Sequence, residues 1–281
     1  MTQKKKYLSG IAFLLPSFLG VFIFVLLPFA DVIRRSFLTA VNESWVGLKN
    51  YMTVFNNAAF KLAAGNTIRF VAICLPLLIF ISLVIAYLLY KIIRYTQFFK
   101  TAFLLPMAIP TASVVLLWKL LFNANGLLNG ILNSFNIKAV DWMNSNYAFW
   151  VLIIVYIWKN IGYTIVLWMA GLSSISEDVY EAARVDGAGE WKIFWRITLP
   201  SLLPVLYTIT VLSFLNSFKV FREAYLVAGD YPHDSMYLLQ HIFNNWFRDL
   251  SIDKMAAGAV VVAVVILILI VMLRKAWDKE D

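Results

Sequence analysis

The sequence predicts an all-α membrane protein, a polytopic bundle of six transmembrane helices with the N-terminus and C-terminus both cytoplasmic. Three observations carry that prediction. Of 281 residues, 62% are hydrophobic and only 14% charged, where a soluble domain carries about 25% charged and 45–50% apolar residues. The apolar residues gather into six runs. A helix rises about 1.5 Å per residue, so roughly 20 such residues cross a hydrocarbon core of about 30 Å. The lysines and arginines collect at the ends of these runs, where they fix membrane orientation.

The runs lie at about 8–29, 70–90, 102–122, 148–171, 199–219 and 256–273, within a single transmembrane domain spanning 1–281. The first follows Lys4, Lys5 and Lys6. It is too long for the apolar core of a usual secretion signal and has no A-x-A cleavage site, so it reads as a retained helix rather than a cleaved leader. The second contains Pro76 and the third Pro106 and Pro110; membrane helices tolerate proline where neighbours satisfy the freed backbone groups. The fourth is interrupted by Lys159 and Asn160, and the fifth, entered through Pro200 and Pro204, by Asn216 and Lys219. The sixth, "AAGAVVVAVVILILIVML", is the purest.

With the N-terminus inside, the cytoplasmic pieces are 1–7, 91–101, 172–198 and 274–281, and they hold twelve Lys and Arg. The outer pieces, 30–69, 123–147 and 220–255, are about twice as long in total and hold nine. The density therefore favours both termini inside. The net charge of +8 is distributed at span ends, without the basic patch interleaved with aromatics that marks a nucleic-acid binder. The single cysteine, Cys74, excludes an intramolecular disulfide and a cysteine-built metal site. No metal site is expected, and His233 and His241 in the outer piece read as ordinary surface residues.

The stretch "EAARVDGAGEWKIFWRITLP", 181–200, interrupts the apolar pattern with Glu181, Arg184, Asp186, Glu190, Lys192 and Arg196. Ser174 and Glu177 fit a capping box, and Asp178 places negative charge at the positive end of the helix dipole. "EDVYEAARV" forms helix well, and Gly187 supplies a stop because it accepts positive φ. Trp191, Phe194 and Trp195 then form an apolar face suited to the membrane interface. A small-residue face (Ala182, Ala183, Gly187, Ala188) would let another backbone approach closely. The physical pattern alone fits both a docking surface and a solvated connector.

The same residues resemble the signature loop of bacterial ABC importer permeases: Glu181-Ala182-Ala183, three residues, Gly187, nine residues, then Ile197-Thr198-Leu199-Pro200. "GLKNYMTVF" (47–55), "NTIRF" (66–70) and "LLPMAIPTASVVLLWKLLFNANGLLNGIL" (104–132) resemble the carbohydrate branch, the maltose-type and glycerol-phosphate-type permeases. In "AGDYPHDSMYLLQHIFNNWF" (228–247) only Gly229 and Pro232 remain of that branch's Gly-Gly-Pro.

The resemblance implies the type I importer fold in the bacterial cytoplasmic (inner) membrane. It implies a permease subunit that forms half of a path for a sugar or oligosaccharide, or alternatively for a polyol phosphate or acidic saccharide. Its implied partners are a second permease, usually making a heterodimer, two cytoplasmic ATPase subunits and an extracellular or periplasmic solute-binding protein. The cytoplasmic loop 174–200 would contain the coupling helix, acting through 177–190 with Glu181, Ala182, Ala183, Asp186 and Gly187 as contacts to the ATPase. The chain has no G-x-x-x-x-G-K-[ST] phosphate loop, so no enzyme activity and no cofactor are expected here, with ATP and Mg held by the partner. Intramembrane polar residues are costly and default to functional roles, so Trp158, Lys159, Asn160, Tyr163, Ser213, Asn216 and Lys219 are the candidate substrate path. Lysine there would suit an anionic substrate, although Lys119 and Lys219 near the outer ends also fit a snorkelling role. An ion-gradient secondary transporter would need intramembrane carboxylates, and the six runs as bounded above contain no Asp or Glu.

Overall fold

This computed structural model describes residues 13–92 and 96–277. Among them the regular structure is helical, apart from an isolated antiparallel bridge between Leu38 and Trp45. Six helical stretches are long and apolar enough to cross a membrane: Phe13–Ser36, Ala58–Lys91, Thr111–Ser134, Tyr147–Ser174, Leu203–Ala228 and Ile252–Lys275. We number the helices α1 (Phe13–Ser36), α2 (Lys49–Asn56), α3 (Ala58–Ile92), α4 (Thr96–Ala108), α5 (Thr111–Phe122), α6 (Leu127–Ser134), α7 (Tyr147–Ser174), α8 (Glu177–Val185), α9 (Glu190–Ile193), α10 (Leu203–Ser217), α11 (Phe221–Ala228), α12 (Leu239–Arg248) and α13 (Ile252–Trp277).

Four spans differ most from the sequence-based bounds, the second because it begins at Ala58 rather than near residue 70. The first continues to Ser36, while residues 8–12 and Lys4, Lys5 and Lys6 lie outside the described residues, as do Arg94 and Lys279. The expected run 102–122 is broken between α4 and α5, because Pro110 cannot donate the backbone bond that would continue α4. Pro110 instead caps α5 with φ −57° and ψ 143°. The fifth span departs furthest: a five-residue π segment, Phe194–Thr198, leads into a single turn at Leu199–Ser201 and then α10. Beyond α10, a 3-10 turn at Phe218–Val220 carries the helix into α11 rather than ending it near residue 219.

The described residues divide into two compact units, those within 1–61 and 242–272 and those within 62–241 and 273–281. In the first unit, the turn after α1 is tied to α2. The Asn50 side-chain amide donates to the carbonyls of Ser36 (3.0 Å) and Leu38 (2.8 Å), and the hydroxyls of Ser36 and Tyr51 share a bond of 2.6 Å. The "N-Y" of "GLKNY" thus fixes how the chain leaves the first span. Phe60 stacks on Trp246 at 6.0 Å between ring centres.

In the second unit, α3, α5, α7 and α11 bury one apolar cluster that includes Phe70, Leu78, Trp118, Phe149, Tyr156 and Ala224. A second cluster joins Ala86, Ile165, Trp168 and Leu172 to Leu202 and Ile209. Inside the second cluster Trp168 donates its indole N–H to Ser82 Oγ (3.1 Å), the kind of pairing that burial favours. The "N-T" of "NTIRF" performs a clamp. Asn66 donates to the carbonyls of Asp234 (2.6 Å) and Tyr237 (2.9 Å), and Thr67 Oγ1 accepts the Leu239 N–H (3.0 Å). Asn129, buried, holds the loop after α5 with all its bonding capacity. Its amide donates to the Ala124 and Val140 carbonyls (both 2.9 Å), and its oxygen accepts from Val140 N–H (2.9 Å) and the Trp142 indole (3.1 Å).

His241 is wholly buried, not a surface residue. Its Nδ1 accepts the Leu238 N–H (3.0 Å), and its ring lies edge-on to Phe221 (4.8 Å) and stacked on Tyr237 (5.5 Å). Burial depresses its pKa to about 4, because the charged form loses its hydration.

Candidate functional site

Two arrangements on the second unit concern function: the loop between α7 and α10, and a polar site between α7 and the α10–α11 stretch.

The loop begins where α7 ends at Ser174, whose hydroxyl donates back to the Gly171 carbonyl (2.7 Å). The expected capping box on Ser174 is therefore displaced by two residues. Ser176 is the cap, its hydroxyl accepting the Asp178 N–H at 3.3 Å. Glu177 and Asp178 occupy the first turn of α8 and Arg184 the last, each matched to the dipole. The helix ends in a Schellman motif: Ala188 N–H donates to the Ala183 carbonyl (2.9 Å) and Gly187 N–H to Arg184 (3.0 Å). That geometry needs a left-handed residue, and Gly187 takes φ +77°.

No residue of α8 is buried. Val185 is 87% exposed, and Glu181 makes no ion pair with any described residue. A helix this short and unburied is marginal on its own, so its position depends on the segment that leads from it to α10. Glu190, at the start of α9, accepts the ammonium of Lys91 from the end of α3 and faces the Arg184 guanidinium at 3.5 Å. The Lys91 hydrogen bond holds the Glu190 carboxyl below its ordinary pKa. Tyr87 of α3 meets Phe194 edge-on at 5.1 Å, and Tyr180 OH reaches Thr198 Oγ1 at 3.3 Å. α8 is thereby tied to the end of α3 and to the entry of α10. Trp191 and Trp195 remain exposed with their rings 5.7 Å apart.

The intramembrane site is built on Lys159 and Glu223. Their side chains form an ion pair, 20% and 7% exposed respectively. Asn160 donates to the Tyr156 carbonyl (2.8 Å). Tyr156 O–H donates to the Ser213 carbonyl (2.7 Å), Tyr163 OH pairs with Ser213 Oγ (2.7 Å), and Lys219 donates to Asn216 Oδ1 (2.8 Å). Lys159, Asn160, Asn216, Lys219, Tyr156 and Glu223 line a cavity of about 150 Å³. That is below the roughly 300 Å³ at which small-molecule sites begin. Gly162 lets α4 approach: a Cβ there would lie 1.7 Å from the Phe103 carbonyl oxygen.

Of the seven expected path residues, four line this cavity and two, Tyr163 and Ser213, bond to each other beside it. Trp158 does not line it and stands 38% exposed. Two residues escaped the sequence reading, Tyr156 and Glu223. The spans are not free of carboxylates, as their sequence-based bounds had implied, because Glu223 falls within the continuous stretch Leu203–Ala228. The signal was available: a lysine in mid-span asks for a counter-charge, and "FREAYLVA" continues a helical pattern.

Known proteins share both the sequence and the fold. Residues 78–279 match the family described as "Binding-protein-dependent transport system inner membrane component". The chain is 31% identical over 225 residues to the osmoprotective compounds uptake permease protein GgtC of Synechocystis, covering 76% of this chain and 79% of that one. It is 31% identical over 241 residues to the trehalose/maltose transport system permease protein MalF of Thermococcus litoralis, covering 83% and 82%. A solved bacterial ABC transporter, involved in the import of the acidic polysaccharide alginate, shares the fold with TM-score 0.84 over 98% of this chain and 96% of that one, at 22% identity.

Proposed function

The chain belongs to the family of binding-protein-dependent transport system inner membrane components, a multi-pass membrane permease, and from that premise we propose that it forms half of the path of an ATP-driven saccharide importer. The N-terminus and C-terminus face the cytoplasm. A second permease subunit completes the path, a solute-binding protein delivers the sugar from outside, and two separate ATPase subunits supply the energy. The name of MalF, a permease for trehalose/maltose, supports the carbohydrate reading.

The observation that carries the coupling role is α8 itself. It is capped at both ends and unburied, and it is tied through Glu190 to Lys91 on α3. Such a helix presents Glu181, Ala182 and Ala183 outward, while Asp186 and Gly187 shape its end. A push on α8 then reaches α3 and α10 as a rigid-body displacement, which is how packed elements transmit motion. The site around Lys159, Asn160, Tyr163, Ser213, Asn216 and Lys219 is the path segment, narrow here and widened when the partner permease and the ATPases rearrange it. The amide and hydroxyl groups would meet sugar hydroxyls.

The test is reconstitution with the partner permease, ATPase and binding protein, comparing wild type with Glu181→Lys. ATP hydrolysis stimulated by loaded binding protein should be lost in the variant while the complex still assembles. Normal stimulation would make 177–190 a connector. A wild-type complex that no saccharide-loaded protein stimulates would remove the saccharide assignment.

A further inference from the structure

We propose that this chain carries a second saccharide subsite at the end of α7 opposite the coupling loop, suited to a sugar unit bearing a carboxylate or phosphate. The proposal rests on the importer reading above and deepens it by naming a capture point and a substrate class.

A cavity of about 540 Å³ opens there, lined by Trp118, Lys119, Asn123, Asn144, Tyr231 and His233 among others. α7 has 28 residues, so at about 1.5 Å per residue it places this cavity some 40 Å from α8. The volume falls within the roughly 300–1,000 Å³ of small-ligand sites, where the smaller cavity around Lys159, at about 150 Å³, does not.

The wall has the chemistry of an anionic sugar. Tyr231 is 75% exposed, an aromatic face free to cover the C–H side of a pyranose ring. Trp118 stands in the same wall, and its indole N–H is buried with no protein acceptor. That N–H lies beneath the cavity surface, so the indole contributes apolar wall rather than a donor. Lys119 is exposed and makes no ion pair with any described residue. His233 Nδ1 accepts the Ser235 N–H (3.2 Å), so in the neutral ring Nε2 carries the proton and is a donor.

Among the described residues, no carboxylate lines the cavity. Three carboxylates stand close by without lining it: Asp141, which accepts the Asn144 N–H at 3.0 Å, and Asp230 and Asp234, which flank Tyr231 to His233 in the chain. The lining itself thus carries one fixed positive charge, Lys119, beside the amides of Asn123 and Asn144, the His233 ring and aromatic walls. The loop that forms one side is held rigid by Asn129, so the pocket is pre-formed rather than assembled on binding.

The assembled importer in phosphatidylcholine nanodiscs, without binding protein or nucleotide, is titrated with a neutral trisaccharide, a uronate trisaccharide and glycerol 3-phosphate. An anionic probe should bind, at least tenfold more weakly after Lys119→Gln or Tyr231→Ala, with Lys138→Gln in the same loop within twofold of wild type. Which of the two anions binds identifies the charged group. Absence of binding by all three overturns the proposal, as does binding unchanged by Lys119→Gln. Binding that Asn216→Ala abolishes and Lys119→Gln spares places the ligand between α7 and α10 and also overturns it. Stimulated ATP hydrolysis in the same preparation reads the importer assignment separately. Stimulation without direct binding sinks the subsite alone, and absence of stimulation sinks the importer reading.

Discussion

Glu223 of α11 is the counter-ion of Lys159 of α7, and the pair closes the polar cavity from two helices that are 64 positions apart in the chain. Each charge alone would be expensive at that depth, while the pair satisfies both. Glu223→Gln leaves a buried ammonium without its partner and is expected to lower stability by about 3 kcal/mol. Lys159→Met combined with Glu223→Leu should recover most of that loss. Thermal denaturation in nanodiscs of wild type, both single variants and the double variant checks this. Equal losses in the single and double variants would mean that the pair is not what stabilises the contact.

Gly162 is the point where α7 touches the backbone of α4. A methyl group there has no space, since the obstacle is the Phe103 carbonyl and not a flexible side chain. Gly162→Ala should therefore displace α4 and cost about 1–3 kcal/mol, the usual range for overpacking. A melting temperature equal to wild type would show that α4 yields without cost.

Gly187 makes a different demand. Its surroundings are open, with nothing within 4 Å of a Cβ, so only the φ of +77° resists substitution. Gly187→Ala should cost about 1 kcal/mol and act locally. Hydrogen exchange at the Ala188 amide, which caps α8 through Ala183, should quicken while the global melting temperature changes little. Unaltered exchange would show that the loop accommodates alanine in a left-handed turn.

His241 links stability to pH. Its folded pKa is depressed to about 4 against about 6.5 unfolded, so below pH 6.5 the unfolded chain binds the extra proton. The stabilisation is complete above pH 6.5 and is lost as pH falls towards 4. By linkage the loss between pH 7 and pH 5 is about 2 kcal/mol. The melting temperature of wild type should fall more over that interval than that of His241→Phe. Parallel curves would exclude this histidine as the source.

The parts legible in the sequence were those written locally or by repetition. Six apolar runs announce six spans, and the spacing from Glu181 to Pro200 announces the loop. Even Asn50, Tyr51, Asn66 and Thr67, recognised only as parts of familiar segments, prove to be the residues that tie turns to helices. What escaped depends on partners distant in the chain or on continuity past a polar residue. Hydrophobicity drops near Lys219 and so puts Glu223 outside the fifth run, yet the Lys159 charge across the gap makes Glu223 acceptable inside. His241 looked like a loop residue because its neighbours 228–238 are polar, and only the Phe221 and Tyr237 rings around it reveal its burial. Ser174 and Ser176 are equally good caps by sequence; the length of α7 decides between them.

The Lys159–Glu223 pair also bears on electrical work. A bare charge carried across the whole membrane field exchanges about 2.3 kcal/mol with each 100 mV of potential. Were Lys159 unpaired, a rearrangement that shifted α7 would be helped or hindered by the cell's voltage in proportion to the depth traversed. With Glu223 travelling beside it, the pair moves as an electroneutral body. The voltage then exerts almost no net force on this part of the helix pair.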